Sequence, residues 1–108
     1  MLEQTFKGYT ILIGQNAEEN DTLVKNSNLD DYWLHLSDYP SPHVIIQNPT
    51  NKRINHKIIK QAGYQLKIHS KYKQIQNIDI DVTKIKHLVP QNIKGSVIVN
   101  QLIKNIKI

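Results

Sequence analysis

Hydrophobic and polar positions follow a strand-like pattern at three places in the first half of this chain. Tyr9–Ile13 is β-branched and apolar and is closed by Gly14, which predicts a strand. Tyr32–Leu36 is predicted to be a second strand. His43–Gln47 is continuously apolar at its centre, which indicates a third strand in the interior of a sheet.

The clearest helical periodicity follows these strands. One stripe at helical spacing is apolar and consists of Ile54, Ile58, Ile59, Ala62 and Leu66. The opposite stripe is basic with one tyrosine and consists of Arg53, Lys57, Lys60, Tyr64, Lys67 and Lys71. We therefore expect a helix with one face on a sheet and a basic row turned outward. Gly63 costs about 1 kcal/mol relative to alanine in a helix interior, which indicates close packing there.

The remaining segments complete the predicted order. Gln15–Lys25 is expected to form a short helix, Asn48–Asn51 a stop and an N-cap, and Ile78–Lys86 and Ser96–Ile103 two further strands. Two prolines make Ser37–Pro42 a turn. The order β-α-β-β-α-β-β predicts a single α/β domain over residues 1–108. Its sheet is expected to be mixed but mostly antiparallel, with about five strands and two or three helices packed on it.

Composition narrows the function classes. With 108 residues, 39% of them hydrophobic and 21% charged, the chain is expected to fold as one globular domain. It has no cysteine, which excludes disulfides, thiolate zinc sites and cysteine nucleophiles. No apolar run approaches the ~20 residues that a membrane span needs, and the N-terminus is unlike a signal peptide. We expect a cytoplasmic protein without a membrane partner.

The net charge of +5 is unevenly distributed along the chain. Residues 1–38 carry seven acids and two lysines, a net charge of −5, whereas residues 39–108 carry twelve basic residues and two acids, a net charge of +10. No acid occurs between Pro40 and Ile78, where seven basic residues fall. This asymmetry favours a polyanionic partner for the middle of the chain, although lysine-rich helices are also common simply as solvated faces.

Asp31, Trp33 and His35 form the most informative pattern, because alternation places all three on one face of a strand. If the second and third strands form a hairpin, His43 lies opposite or diagonal to this row. The row could stack and hydrogen-bond a nucleobase, or Asp31, His35 and His43 could bind a metal. The third possibility is structural, with Trp33 in a core and the histidines bonded to the backbone.

Other motifs give weaker indications of a functional site. Asn16–Asp21 follows Gly14 where a helix would begin, a position that suits an anion, but its three acids favour helix capping instead. His56, His69 and His87 have no ligand spacing. The chain has no P-loop, Rossmann glycine pattern or Ser-His-Asp order, so neither a nucleotide-hydrolysing nor a nucleophilic enzyme is indicated, and no cofactor is expected.

Several of these motifs together resemble the NFACT-R domain, the C-terminal module of the NFACT ribosome quality-control factors, which also occurs as a small free-standing protein. The resemblance runs through Gly14-Gln15-Asn16, Glu19-Asn20-Asp21-x-Leu23, Asp31-x-Trp33-Leu34-His35 and Asp38-x-Pro40-x-x-His43-Val44-Ile45-Ile46. It continues more weakly through His69-Ser70-Lys71, Asp81-Val82-Thr83-x-x-Lys86 and Lys94-Gly95-Ser96-Val97. Its signature positions here are Gly14, Asn16, Asn20, Asp21, Asp31, Trp33, His35 and His43.

The resemblance implies a compact α/β domain that binds RNA and belongs to machinery engaging tRNA on the stalled large ribosomal subunit. Two positions depart from the family pattern. Pro40-Ser41-Pro42 lacks a glycine that the family usually has, and Gln47 stands where an arginine is usual. The binding mode is therefore open.

We expect a non-enzymatic nucleic-acid-binding domain of ribosome quality control, with RNA or tRNA as its partner. Periodicity, rather than the resemblance, assigns the phosphate contacts to Arg53, Lys57, Lys60 and Lys67. Two alternatives stay open: a protein-interaction module, and a metal-assisted hydrolase that uses Asp31, His35 and His43.

Overall fold

Eight strands and two helices make up the fold in a computed structural model that describes residues 1–108. A 3-10 turn at Ile85–His87 follows the fifth strand. In chain order the elements are β1 (Leu2–Phe6), β2 (Tyr9–Gly14), α1 (Ala17–Asn26), β3 (Tyr32–Leu36), β4 (His43–Ile46), α2 (His56–Ile68), β5 (Asp79–Lys84), β6 (Leu88–Pro90), β7 (Val97–Val99) and β8 (Lys104–Lys107).

Six of the strands form one sheet in the order β1-β2-β4-β3-β5-β8, and β6 and β7 form a separate hairpin. The α/β class and the two helices on a largely antiparallel sheet are confirmed. All the strand pairs are antiparallel, so the expectation of a mixed sheet is corrected. The expected hairpin of β3 and β4 is also confirmed, because Trp33 pairs with Ile45 and Leu34 with Val44.

One face of the sheet is covered by α2. The apolar stripe of this helix, from Ile54 to Leu66, packs on Leu34, Val44 and Ile80 in the larger of two hydrophobic cores. A side chain at Gly63 would lie only 3.0 Å from the Ile106 methyl of β8, so the glycine allows α2 to approach the sheet closely. The reason proposed for Gly63 from the sequence agrees with this contact.

The other face is covered by α1 and the β6–β7 hairpin. Trp33 and Ile45 point to this side and pack with Leu23 and Val24 of α1 and with Leu88, in a second, smaller core. Both faces of β3 and β4 are therefore buried. This burial explains why His43–Ile46 has no exposed residue.

Three sequence predictions need correction at the level of single elements. The edge strand β1 was not predicted, because it is a short alternation with little apolar content. The predicted strand Ser96–Ile103 is instead the short strand β7 followed by a bend, and the missed strand β8 begins at Lys104. The N-cap of α2 is Asn55, whose side chain accepts from the Lys57 N–H, rather than a residue of Asn48–Asn51.

Replacing Gly63 with valine tests the close approach of α2. Valine has a higher helix propensity than glycine, so without the contact to β8 the change would be neutral or slightly stabilising. A Cβ alone would lie 3.0 Å from Ile106 and 3.2 Å from Ile108, and valine adds two further methyl groups to this tight contact. We therefore expect a loss of about 1–3 kcal/mol in the free energy of unfolding, measured by urea denaturation. Tyr64→Val, at the exposed neighbouring position, is the control, and equal stabilities of the two variants would contradict this packing.

Candidate nucleic-acid interface

A cleft lies at the end of the sheet where β3 ends and β4 begins. Its volume is about 420 Å³, within the range of small-ligand sites. We call it the histidine cleft, because His35 and His43 form part of its wall. Its other lining residues come from the start of α1, the turn between β3 and β4, the segment after α2 and one glycine: Gln15, Asn16, Ala17, Asn20, Pro40, Ser41, Pro42, His69, Ser70, Lys71, Tyr72 and Gly95.

Strand alternation brings three aromatic rings together beside the cleft. The rings of Trp33 and His35 are parallel to within 1°, with centroids 5.5 Å apart. His43 stands nearly perpendicular to both, with its centroid 5.4 Å from Trp33 and 5.2 Å from His35. The sequence prediction that His43 lies close to the Trp33 and His35 row is confirmed.

Hydrogen bonds determine which nitrogen of each histidine carries the proton. The indole Nε1 of Trp33 is only a donor and donates to His43 Nδ1 over 3.1 Å, so neutral His43 carries its proton on Nε2. His35 Nδ1 lies 2.5 Å from the Leu36 carbonyl, which only accepts, so His35 is protonated on Nδ1. The two free Nε2 atoms are therefore opposite in character, an acceptor on His35 and a donor on His43.

Burial keeps both imidazoles neutral near pH 7. Desolvation lowers the pKa of His35, although its bond to the Leu36 carbonyl and the charge of Asp81 oppose the change. For His43, desolvation and the neighbouring His35 lower the pKa from 6.5 to about 3. The donor and acceptor pair is thus stable through the physiological range of pH.

The free nitrogen of His43 opens to a cavity although the residue is only 3% exposed. No fully buried side-chain nitrogen or oxygen lacks a hydrogen-bond partner, and His43 Nε2 has no partner within the protein. This atom must therefore be open to the cavities that His43 lines, which include a second one of about 340 Å³ beside Lys94 and Asp81. A buried donor that opens into a cavity is suited to a ligand acceptor.

Gly14 and Asn20 hold His43 in position. The Asn20 side-chain oxygen accepts from the His43 backbone N–H over 3.0 Å, and a Cβ on Gly14 would overlap that oxygen. Asn16 caps α1 by accepting from the Glu19 N–H, and the Glu19 carboxylate accepts from the backbone N–H of Gln15, the residue before the cap. The start of α1 is therefore a capped helix end, as the sequence analysis favoured over an anion-binding turn.

Asp31 does not face the cleft. It is 2% exposed, and its two carboxylate oxygens accept from the backbone N–H groups of Asn28 and Asn48, at 2.9 and 2.8 Å. It thereby ties together the loops before β3 and after β4. Asp21 pairs with Lys25 one helical turn away and likewise does not line the histidine cleft.

Asp31 therefore does not join His35 and His43 in a metal site, which the hypothesis of a metal-assisted hydrolase required. No group of three histidine or carboxylate side chains in the molecule is arranged to hold a metal ion. Trp33, proposed as a stacking surface, is 2% exposed and packs between the sheet and α1, so the half-buried His35 ring is the more accessible of the two.

The basic residues predicted from periodicity lie apart from the cleft. Arg53, Lys57 and Lys60 are exposed around the first turns of α2. Lys67 is half-buried and donates to the Ile108 carbonyl over 2.8 Å, which directs its ammonium toward the chain itself. Lys71 lies beyond the end of the helix and lines the cleft.

Several cleft residues were missed as site residues by reasoning from the sequence. His69, Ser70 and Lys71 follow α2, and Gly95, with a positive φ of 78°, brings its loop against Ala17. The signal for them was the weaker part of the family resemblance, which included both segments. Ser41, in the turn that departs from the family pattern, accepts from the Leu36 N–H and so fixes the cleft wall beside Pro42.

Comparison with known proteins assigns the class. The pattern of the family described as "NFACT protein RNA binding domain" matches residues 2–100. The chain belongs to this family, as the resemblance implied. It is also 32% identical over 90 residues to the Rqc2 homolog RqcH of Bacillus subtilis (strain 168), a match that covers 82% of this chain and 15% of that protein.

A solved structure shares the fold. The C-terminal part of the fibronectin/fibrinogen-binding protein from Streptococcus suis superposes with a TM-score of 0.86 at 23% identity. The match covers 98% of this chain and 44% of that one. In both comparisons the chain spans less than half the length of the protein it resembles. Neither of its helices has the length and apolar character needed to cross a membrane.

The structural role of Asp31 is tested by Asp31→Asn. The amide replaces one acceptor oxygen with an N–H₂ group that faces a backbone N–H, leaving a buried donor unsatisfied. We expect the free energy of unfolding to fall by about 1–3 kcal/mol in urea denaturation. Asp38→Asn, an exposed change of the same kind, is the control and should change it by less than about 0.5 kcal/mol. Similar stability of both variants would contradict the role.

The lowered pKa of His43 predicts a pH-dependent stability. Since the folded pKa is about 3 and the ordinary value 6.5, the unfolded chain gains the proton first as the pH falls. Stabilisation by neutral His43 is therefore complete above pH 6.5 and is lost progressively as the pH falls toward 3. Each unit of pKa difference corresponds to about 1.4 kcal/mol.

Urea denaturation at about pH 7, 5.5 and 4.5 measures this loss. His43→Asn is the comparison, because its side-chain oxygen can still accept from Trp33 but does not titrate. We expect stability to fall more steeply with decreasing pH in the wild type than in the variant. Parallel profiles would show that His43 does not have a depressed pKa.

Proposed function

We propose that this domain binds RNA in the histidine cleft, with tRNA as the preferred form, and acts without enzymatic activity in cytoplasmic ribosome quality control. The family to which the chain belongs is described as an RNA-binding domain, and its relative RqcH is named as an Rqc2 homolog. The link to ribosome quality control follows from that relative and is carried over to this chain as part of the proposal.

The observation that carries the proposal is the free Nε2 of His43, a donor on a 3% exposed residue that opens into a cavity. Beside it, His35 supplies an acceptor and a half-buried ring. Nucleobases present adjacent donors and acceptors on their edges and flat faces for stacking, so one unstacked base can engage both histidines. Lys71 on the cleft wall and Lys94 in the adjoining cavity are placed to balance the charge of the attached phosphates.

In this proposal the eight signature residues divide into two groups. Asn16, Asn20, His35 and His43 line the cleft, and Asn16, His35 and His43 are the members proposed to touch RNA, because the Asn20 side-chain oxygen is already bonded to the His43 backbone. The others act through them or through the fold: Gly14 and Asn20 position His43, Trp33 determines its tautomer, Asp31 joins two loops, and Asp21 pairs with Lys25.

The exposed Arg53, Lys57 and Lys60 are proposed to contact phosphates of the same RNA outside the cleft. Lys67 is the weakest member of that set, since its ammonium already donates to a carbonyl.

A protein-interaction role has one observation in its favour. Val89 and Ile98 are paired across the β6–β7 hairpin and are 42% and 51% exposed, which makes an apolar outer face. The cleft with its free polar nitrogen is a more specific feature than this face, and the family description also favours RNA. We therefore place protein interaction second.

His35→Ala tests the proposed site. Loss of base stacking costs on the order of 1–3 kcal/mol per base, so we expect the affinity for single-stranded RNA and tRNA to fall roughly 5- to 150-fold. Fluorescence anisotropy across a salt series, with duplex DNA as a further ligand, measures the change and shows which nucleic acid is preferred.

Thr22→Ala, on the exposed side of α1 and outside the cleft, is the control and should bind as the wild type does. Unfolding curves of both variants verify that they remain folded. Unchanged RNA binding by folded His35→Ala would reject the histidine cleft as the site, and an affinity indifferent to salt would contradict binding to a polyanion.

A further inference from the structure

Another cavity, distinct from the two that His43 lines, is found at the opposite end of the strands from the histidine cleft. Its volume is about 460 Å³, and it is found where α2 begins, where β5 ends and where β8 begins. It is lined by Tyr32, three isoleucines and five basic residues. We call it the basic pocket, and its basic lining residues, here called its rim, are Arg53, Lys84, Lys86, His87 and Lys104.

The cations of the basic pocket exceed the carboxylates available to them. Lys84 and Lys86 share one acid, Asp30, at 3.4 and 3.1 Å. Arg53 and Lys104 form no ion pair at all, and Lys104 Nζ has only the imidazole of His56 within 3.4 Å. Four cations thus face a single carboxylate around one concavity, and these five groups together have a formal charge of +3.

The start of α2 adds to this positive charge. Acids are favoured in the first turn of a helix, because they complement the positive end of the helix dipole. The chain follows this rule in α1, whose first turn contains Glu18 and Glu19. The first turn of α2 contains no acid, and it has Arg53 just before it and Lys57 within it. Mutual repulsion of these cations is unfavourable for folding, and a bound anion would relieve it.

We propose that the basic pocket binds a backbone phosphate of RNA, as a second contact separate from the histidine cleft. The inference rests on the proposed RNA-binding function for the identity of the ligand. Arg53 can form two parallel hydrogen bonds to phosphate oxygens, and Lys104 supplies a second, unpaired cation on the same rim. Lys84 and Lys86 are held nearby by Asp30 and strengthen the local potential.

The two sites are separated by the length of α2. The basic pocket lies beside the start of the helix, and the histidine cleft lies just beyond its end. Because α2 has 13 residues and a helix rises 1.5 Å per residue, the two sites are roughly 20 Å apart. The exposed Lys57, Lys60 and Tyr64 lie between them. One RNA can thus occupy both sites, with its phosphates at the start of α2 and an unstacked base beside His35.

Pyrophosphate, titrated at constant ionic strength, tests the pocket independently of RNA. In two-dimensional NMR of the full chain we expect saturable shifts of the backbone amides of residues 53–57, 84–87 and 104. The double variant Arg53→Gln/Lys104→Gln should abolish these shifts. Since it removes like charges from one another, it should unfold at the same or a higher urea concentration than the wild type. Shifts spread over all exposed lysines, or unaffected by the double variant, would overturn the proposal.

Salt dependence of RNA binding provides the second measurement. Each phosphate contact to single-stranded RNA contributes about −0.7 to the slope of log affinity against log salt. Loss of two contacts in Arg53→Gln/Lys104→Gln should therefore make the slope less negative by about 1.4. The control, Lys7→Gln/Lys25→Gln, removes the same charge from exposed residues outside the basic pocket and should leave the slope unchanged.

The outcomes separate this inference from the proposed function. If His35→Ala weakens RNA binding but the double variant has the slope of its control, the basic pocket is not an RNA contact and the histidine cleft stands alone. If the double variant changes the slope and His35→Ala binds normally, the basic pocket is supported and the cleft is rejected. If no RNA binds, the proposed function fails, and with it the assignment of the phosphate to RNA.

Discussion

The hydrogen bond from the Trp33 indole to His43 Nδ1 is the contact on which the histidine cleft depends. It crosses from β3 to β4 at the smaller core, which contains Trp33, and both side chains are buried. A hydrogen bond in such surroundings is stronger than one exposed to water. Because the indole can only donate, the bond requires an unprotonated Nδ1, and the proton of neutral His43 must be on Nε2, the nitrogen that opens to the cavities lined by this residue. A buried tryptophan thus sets the chemistry of a surface that it hardly reaches.

The contacts that support the histidine cleft also depend on buried hydrogen-bonding groups. Asn20 holds the backbone of His43, and Gly14 leaves space for the Asn20 side chain. Asp31 joins the loops on either side of the β3–β4 pair through backbone N–H groups. Three of the signature residues, Asn20, Asp31 and Trp33, are therefore buried polar groups with satisfied hydrogen bonds, and they support two histidine nitrogens that are left free. Loss of binding in a Trp33 or Asp31 variant would report on that scaffold before it reported on contact with RNA.

The sequence was sufficient for the elements with strong periodicity. β2, β3 and β4 were found as short, mainly apolar segments, and α2 was found because its apolar residues repeat at about 3.6 positions. The family resemblance then identified residues that meet at one end of the sheet. Alternation shows which face a side chain occupies but not what covers that face. Trp33 and Asp31 were therefore expected to be accessible, whereas the β6–β7 hairpin, α1 and two loops bury them.

The basic pocket also could not be predicted from the sequence, because its residues come from distant parts of the chain. Periodicity identified Arg53 as part of a helix face, but its neighbours Lys84 and Lys104 are distant in the sequence and are brought to it by strand pairing. Likewise, His69–Lys71 lies beside His35 only because α2 spans the length of the sheet. Such clusters are tertiary, and no local spacing rule predicts them.

The order of strands in the sheet also has a kinetic consequence. β3 sits between β4, which follows it after a short turn, and β5, which pairs with it across α2, so that Leu34 meets Val82. Closing so long a segment costs chain entropy before its contacts stabilise it, and domains with many such pairings fold more slowly than helical ones. The β3–β4 hairpin can form early from local contacts. The basic pocket needs β5 and β8 as well, so it can be completed only once these distant strands have joined the sheet.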